Sequence, residues 1–152
     1  MRETISDWLM AISGPLLLGS LFLVWSHQLS TGLRARYGAT SVLAGVPADP
    51  TAWQVYSGAD VLLALVGVGL IGVALWGGRA RRIALALALV VALAFVIHAL
   101  AVPPTNGALL FDPTLVPPGY TANVVSSGAG EVLALVALGL GAVGVGLAFT
   151  AD

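Results

Sequence analysis

The chain contains no cysteine and no lysine, and charged residues make up only 9% of its 152 residues. Without cysteine there is no disulfide, no thiolate metal site and no thiol catalysis, which excludes membrane enzymes that exchange disulfides. Six arginines and a net charge of -1 provide no basic surface, which excludes nucleic acid as a partner. A water-soluble domain carries roughly 25% charged residues, so the composition disfavours a soluble fold.

Apolar residues dominate the composition, at 59% of the chain with a mean hydropathy of +1.00. In water such a chain would expose apolar surface on every side, whereas lipid solvates the same surface. A helix satisfies its backbone hydrogen bonds internally, as a segment in lipid must. We therefore expect an all-α membrane protein whose first partner is the lipid bilayer.

Four apolar segments predict the transmembrane helices, at residues 8–27, 60–77, 83–102 and 131–150. Each has a length of about 27–30 Å as a helix, which matches a hydrocarbon core. The first segment exceeds the usual apolar region of a signal peptide and lacks a small-residue cleavage site, so we expect it to be retained. Residues 1–152 are thus predicted to form one domain, an antiparallel bundle of four transmembrane helices with two long outer loops.

The distribution of arginine predicts the orientation. One side of the predicted bundle carries four arginines and the other two, namely Arg2, Arg79, Arg81 and Arg82 against Arg34 and Arg36. Positive charge is enriched in cytoplasmic segments. We expect a multi-pass protein of the cell membrane, inner or plasma, with both termini in the cytoplasm.

Aromatic and small residues define two further predicted sets. The interfacial anchors expected at the ends of the spans are Trp8, Trp25, Trp53, Tyr56 and Trp76. The helix-packing residues expected from small-residue spacing are Ala84, Ala88 and Ala92 in the third segment and Ala137, Gly141, Ala142 and Gly146 in the fourth. In the fourth segment they form two faces, one for packing within the chain and one that could meet a neighbouring subunit.

One ionisable residue from each segment falls at the predicted outer level, namely His27, Asp60, His98 and Glu131. Two imidazoles and two carboxylates can bind zinc, copper or non-haem iron, and two histidines can ligate a haem. The same residues have simpler explanations. Acids in a first turn interact favourably with the helix dipole, Ser57 and Asp60 have capping-box spacing, and His98 could make a buried polar contact with Asp60 or Glu131. We therefore expect no cofactor.

Other catalytic or transport features find little support in the residues. Ser13, Ser20 and Ser26 have no acid–base partner in the pattern, and hydroxyls in membrane helices usually bond back to their own backbone. The centres of the four segments carry no charge, so a channel or transporter would lack a polar path.

The GSLFL stretch with a following Trp25, and the entry Trp53, Tyr56, Asp60 into the second segment, resemble a family of uncharacterised small four-span proteins of actinobacterial type. The resemblance implies a four-helix fold and a bacterial membrane, and no activity. The order of loops is similar to the claudin-type tetraspan plan, whose paired cysteines this chain lacks.

These observations favour a non-catalytic membrane protein that acts through assembly, with copies of itself or as an accessory subunit of an envelope complex. The alternatives are a small metal- or haem-binding redox protein and a small channel or transporter.

Overall fold

The computed structural model describes residues 2–27, 42–43, 46–47, 49–56, 58–103 and 126–151. Four long helices account for most of them: α1 (Arg2–Ser20), α3 (Ala59–Trp76), α4 (Arg79–Ala101) and α5 (Ala129–Ala151). A one-turn helix, α2 (Ala52–Val55), precedes α3. Two-residue strands form two antiparallel pairs, β1 (Ser26–His27) with β4 (Ser126–Ser127) and β2 (Val42–Leu43) with β3 (Val46–Pro47).

Three of these helices are long and apolar enough to cross a membrane. They are α3, α4 and α5, with mean hydropathies of 2.2, 2.8 and 2.5 over their most apolar stretches. The prediction of an all-α chain with membrane-spanning helices is confirmed at this level. The bounds of these helices fall within a few residues of the predicted segments, and α4 begins at Arg79, four residues before the predicted third segment.

The first predicted segment is wrong in its last seven residues, 21–27. The helix α1 ends at Ser20, and the chain then turns and enters β1 instead of continuing as a helix to His27. Of the apolar residues after Ser20, Leu21 and Trp25 are completely buried in the protein, whereas Phe22 and Leu23 are exposed. Hydropathy does not distinguish burial in protein from burial in lipid, and this caused the error.

The helix α1 lies between α3 and α5, and α4 contacts the same two helices from the other side. Glycines allow the close crossings. A Cβ on Gly14 would lie 2.6 Å from the Gly67 carbonyl oxygen on α3. A Cβ on Gly144 of α5 would lie 2.9 Å from Met10 and 3.1 Å from the Ser6 carbonyl oxygen on α1. Such close contact between backbones is the usual means of helix association in lipid.

Both chain ends and the turn between α3 and α4 lie at one end of the helices. The Ser6 hydroxyl donates a hydrogen bond to the Gly144 carbonyl oxygen at 2.8 Å. A guanidinium N–H of Arg82 donates to the Ala148 carbonyl oxygen at 3.3 Å. Only Gly77 and Gly78 separate α3 from α4, with φ angles of 56° and 106° that favour glycine. This turn places α3 and α4 antiparallel.

The two long predicted loops, 28–59 and 103–130, lie largely outside the described residues, as do Arg34, Arg36 and Ser57.

Candidate functional site

We call the turn at Gly77 and Gly78, with the arginines that follow it at the start of α4, the arginine turn. The opposite end of the helices holds the polar residues singled out in the sequence. Here the chain that follows α1 meets the chain that precedes α2 and the chain that precedes α5. Trp25 N–H donates to the Pro50 carbonyl oxygen at 2.9 Å, and Gly128 N–H donates to the Trp25 carbonyl oxygen at 2.7 Å. We call this junction, residues 24–27, 49–51 and 126–131, the end cap.

Trp25 is the centre of the end cap. Its side chain is completely buried, and its indole N–H donates to the Ser20 carbonyl oxygen at 2.7 Å. This bond gives the Ser20 carbonyl oxygen, at the end of α1, a second donor beside the Leu23 N–H at 3.2 Å. Trp25 therefore differs from the lipid-facing anchor that the sequence predicted. Trp8, Trp53 and Trp76 are exposed, as such anchors would be.

Two aromatic contacts connect Trp25 to α4. The Tyr56 ring meets Trp25 edge-on with centroids 5.6 Å apart, and it meets Phe95 in the same way at 5.0 Å. Edge-to-face geometry is favourable for aromatic pairs beyond the area they bury. Burial, and in second place the nearby Glu131 carboxyl group, raise the pKa of the Tyr56 phenol, so this side chain stays neutral. Tyr56 is thus a packing residue of the cap.

His27 is paired at the edge of the end cap. Its Nδ1–H donates to Asp49 Oδ1 at 2.6 Å, and both side chains are partly exposed. Asp49 was not among the predicted residues, because it lies 22 positions along the chain and no short-range spacing relates the two. The pair holds β1 beside the segment that leads into α2.

Asp60 and His98 differ in burial from the His27–Asp49 pair and from each other. Asp60 is buried in the first turn of α3, and its Oδ1 accepts a hydrogen bond from the Val61 N–H at 2.8 Å. This agrees with the predicted role of an acid at a helix start. His98 is exposed on α4, so the predicted buried polar contact is not formed.

Glu131 is the most unusual residue of the end cap. Its side chain is completely buried in the first turn of α5, and neither carboxylate oxygen has a hydrogen-bond partner among the described residues. A buried carboxylate without a partner is energetically costly.

The four predicted metal ligands do not form a common site. Within the described part of the chain, no group of three or more His, Asp or Glu side chains is placed to hold a metal ion. Two of the three serines singled out in the sequence bond to their own helix. Ser13 and Ser20 donate to the carbonyl oxygens of Met10 and Leu17 on their own helix, which confirms the back-bonding prediction.

The small residues of α5 separate into two faces. Ala137 is fully buried, and a Cβ on Gly141 would lie 2.9 Å from Leu70 and 3.2 Å from the Ser13 hydroxyl, so this face packs inside the chain. Ala142 is half-buried and Gly146 is exposed, and no described atom lies within 4 Å of an added Cβ on Gly146.

Gly139 extends the outward face of α5. It lies two turns from Gly146, and an added Cβ there also meets no described atom within 4 Å. On α4, Ala92 is fully buried, whereas Ala88 is half-buried and Ala84 is exposed. On α4, the predicted packing residues Ala92 and Ala88 therefore pack within the chain, whereas Ala84 does not.

No protein-family model, no curated protein and no solved structure matches this chain.

Proposed function

We propose that this chain is a four-span protein of a bacterial cell membrane that acts by assembling with copies of itself, without catalysis. The membrane setting is supported by the three spanning helices, and α1 joins them because it packs between α3 and α5. The four helices then form an antiparallel bundle with the end cap on the outer side.

The orientation follows from charge. Both chain ends and the arginine turn lie at one end of the helices, which the Ser6–Gly144 and Arg82–Ala148 hydrogen bonds bring together. Arginine near the membrane favours the cytoplasmic side. We therefore place the N- and C-termini in the cytoplasm.

The outward glycines of α5 are the observation on which self-assembly depends. Glycine in a helix costs about 1 kcal/mol relative to alanine, and at Gly139 and Gly146 no described neighbour requires the missing Cβ. At Gly141 and Gly144 a close neighbour does require it. The cost of a helical glycine that no contact within the chain requires is explained if the backbone of another helix approaches this face.

A second copy of α5 is the simplest partner for this face. Two helices that cross at small residues two turns apart can meet through the same surface, as a two-fold symmetric dimer requires. The exposed side chains beside the glycines, such as Val136 and Val143, are apolar and would interdigitate across the dimer. Neither a metal site nor a polar path has comparable support in the described side chains.

Paired substitutions test this function. Gly139→Leu and Gly146→Leu fill the outward face, and we expect them to convert the dimer to a monomer in mild detergent, as measured by native mass spectrometry. Gly19→Leu is the matched control, because Gly19 also faces open space, on α1. All three variants should keep the helical circular dichroism of the parent chain.

A parent chain that is monomeric in mild detergent, and in lipid bilayers by single-molecule photobleaching, would refute the proposal. Loss of the dimer with Gly19→Leu as well would show that the effect is not specific to α5.

A further inference from the structure

A long open groove of about 840 Å³ runs between α3 and α4. Its wall on α3 extends from Leu62 to Trp76 and its wall on α4 from Arg81 to Ala88. At 1.5 Å per residue these walls are about 21 Å and about 10 Å long. One leaflet of a bilayer has about 15 Å of hydrocarbon, so the groove has the length of an acyl chain that lies in one leaflet.

Small residues create the groove. Gly72, Ala84 and Ala88 line it at positions where larger side chains would fill the space between the helices. A Cβ on Gly72 would come no closer than 3.9 Å to another side chain, that of Trp76. The predicted packing residues Ala84 and Ala88 therefore leave a gap instead of closing α3 onto α4.

Arg81 is the charged residue among the described side chains that line the groove. It is exposed and lies at the end of the groove nearest the arginine turn, where Trp76 is also exposed. Its neighbour Arg82 is directed elsewhere and donates to the Ala148 carbonyl oxygen of α5. The groove thus joins an apolar trough to one guanidinium group.

The arginines at the start of α4 favour the binding of an anion. Arg79, Arg81 and Arg82 lie in the first turns of α4, which contain no acidic residue. Cations at a helix N-terminus are unfavourable, because they face the positive end of the helix dipole. A phosphate group beside Arg81 would reverse the sign of that interaction.

A phospholipid fits these features better than a second copy of the chain. An apolar helix could cover the trough, but it would remove water from Arg81 without supplying an opposite charge, which is costly. A phospholipid supplies an acyl chain for the trough and a phosphate for the guanidinium group. The cytoplasmic leaflet is also the source of anionic lipid for arginines placed on that side.

We propose that the groove between α3 and α4 binds one acyl chain of an anionic phospholipid, whose phosphate is held by Arg81. The site rests on the membrane setting proposed above but not on self-assembly, because it uses α3 and α4 and leaves the outward glycines of α5 free.

Competitive lipid binding tests the site. The full chain in mild detergent is mixed with equal amounts of phosphatidylglycerol and phosphatidylcholine that have the same acyl chains, and native mass spectrometry counts the retained lipids. We expect one retained lipid per chain with a preference for phosphatidylglycerol. Arg81→Gln should reduce that preference about fivefold, the worth of one arginine at an anionic surface. Arg79→Gln, at an exposed arginine outside the groove, should change it little.

Filling the trough tests the acyl chain separately. Ala84→Leu and Gly72→Leu should lower retention of both lipids, and either variant suffices if the other fails to fold. Ala94→Leu is the matched control, because Ala94 is exposed on the same helix and does not line the groove.

Two outcomes would overturn the lipid site. Equal retention of both lipids that no variant changes would mean ordinary surrounding lipid. A change in the number of chains per particle on filling the groove, without a loss of lipid, would mean that a second copy occupies it. A chain that stays monomeric but retains one anionic lipid would refute the self-assembly proposal alone.

Discussion

The same substitution at two glycines of α5, Gly144→Ala and Gly146→Ala, should change stability in opposite directions. The positions are two residues apart, so the added methyl groups point to different sides of one helix. At Gly144 the methyl carbon would lie 2.9 Å from Met10, 3.1 Å from the Ser6 carbonyl oxygen and 3.2 Å from Leu9 Cβ. At Gly146 it would meet no described atom within 4 Å.

The magnitudes follow from these surroundings. Overpacking a close helix crossing costs about 1–3 kcal/mol, because backbone atoms of α1 must move to make room. That movement also weakens the 2.8 Å hydrogen bond from Ser6 to the Gly144 carbonyl oxygen, worth about 1 kcal/mol in a membrane protein. The gain of alanine over glycine in a helix, about 0.4–1 kcal/mol, offsets part of this loss, so Gly144→Ala should lower the free energy of unfolding by about 1–3.5 kcal/mol in total. Gly146→Ala should raise it by about 0.4–1 kcal/mol, the gain of alanine over glycine in an open helix position.

Reversible unfolding by sodium dodecyl sulfate in mixed micelles, followed by tryptophan fluorescence, measures both effects. Dilute protein in excess detergent keeps one chain per micelle, so that self-assembly does not contribute. If Gly144→Ala is as stable as the parent chain, the close approach of α1 and α5 is wrong. If Gly146→Ala is as damaging as Gly144→Ala, the outward direction of that face is wrong.

Three further predictions concern the end cap. Trp25→Phe retains an aromatic ring but leaves the Ser20 carbonyl oxygen without its indole donor, although the Leu23 N–H still donates to it, so the unfolding free energy should fall by about 0.5–1.5 kcal/mol in the same assay; an unchanged value would contradict the 2.7 Å hydrogen bond. Glu131→Gln removes a buried carboxylate that has no described partner, and we expect stability at pH 8 to rise by at least about 1 kcal/mol; a loss would mean that the charge is compensated. Asp49→Asn should cost no more than about 1 kcal/mol, because its pair with His27 is partly exposed; a larger loss measured by unfolding would show that the pair holds the cap together.

The apolar runs that became α3, α4 and α5 could be predicted from residue order alone. A stretch of about 20 apolar residues without charge has few stable alternatives to a membrane-spanning helix. Ser13 and Ser20 of α1 followed local rules as well, because a hydroxyl on a helix can reach a carbonyl oxygen one turn earlier. These features depend on neighbours in the chain.

The end cap could not be predicted in the same way. Trp25 has the hydropathy and position of an interfacial anchor, yet it is buried, because segments distant in sequence fold over it. The pairing of His27 with Asp49 likewise depends on the path of the chain between them. His98 shows that the position of a residue along a helix does not indicate the side of the helix on which it lies.

Composition and hydropathy by themselves determined that this chain is helical and that at least three of its helices suit a bilayer. The reason is that unpaired backbone groups are costly in lipid, and a single segment pairs them internally only as a helix. The spacing of small residues determined that α5 has two glycine-bearing faces. Only the tertiary structure decided which face packs on α1 and which faces outward, where α1 ends, and that α3 and α4 leave a groove beside Arg81. Those outcomes depend on how the helices are rotated about their axes, and that rotation is set by contacts between residues far apart in the chain.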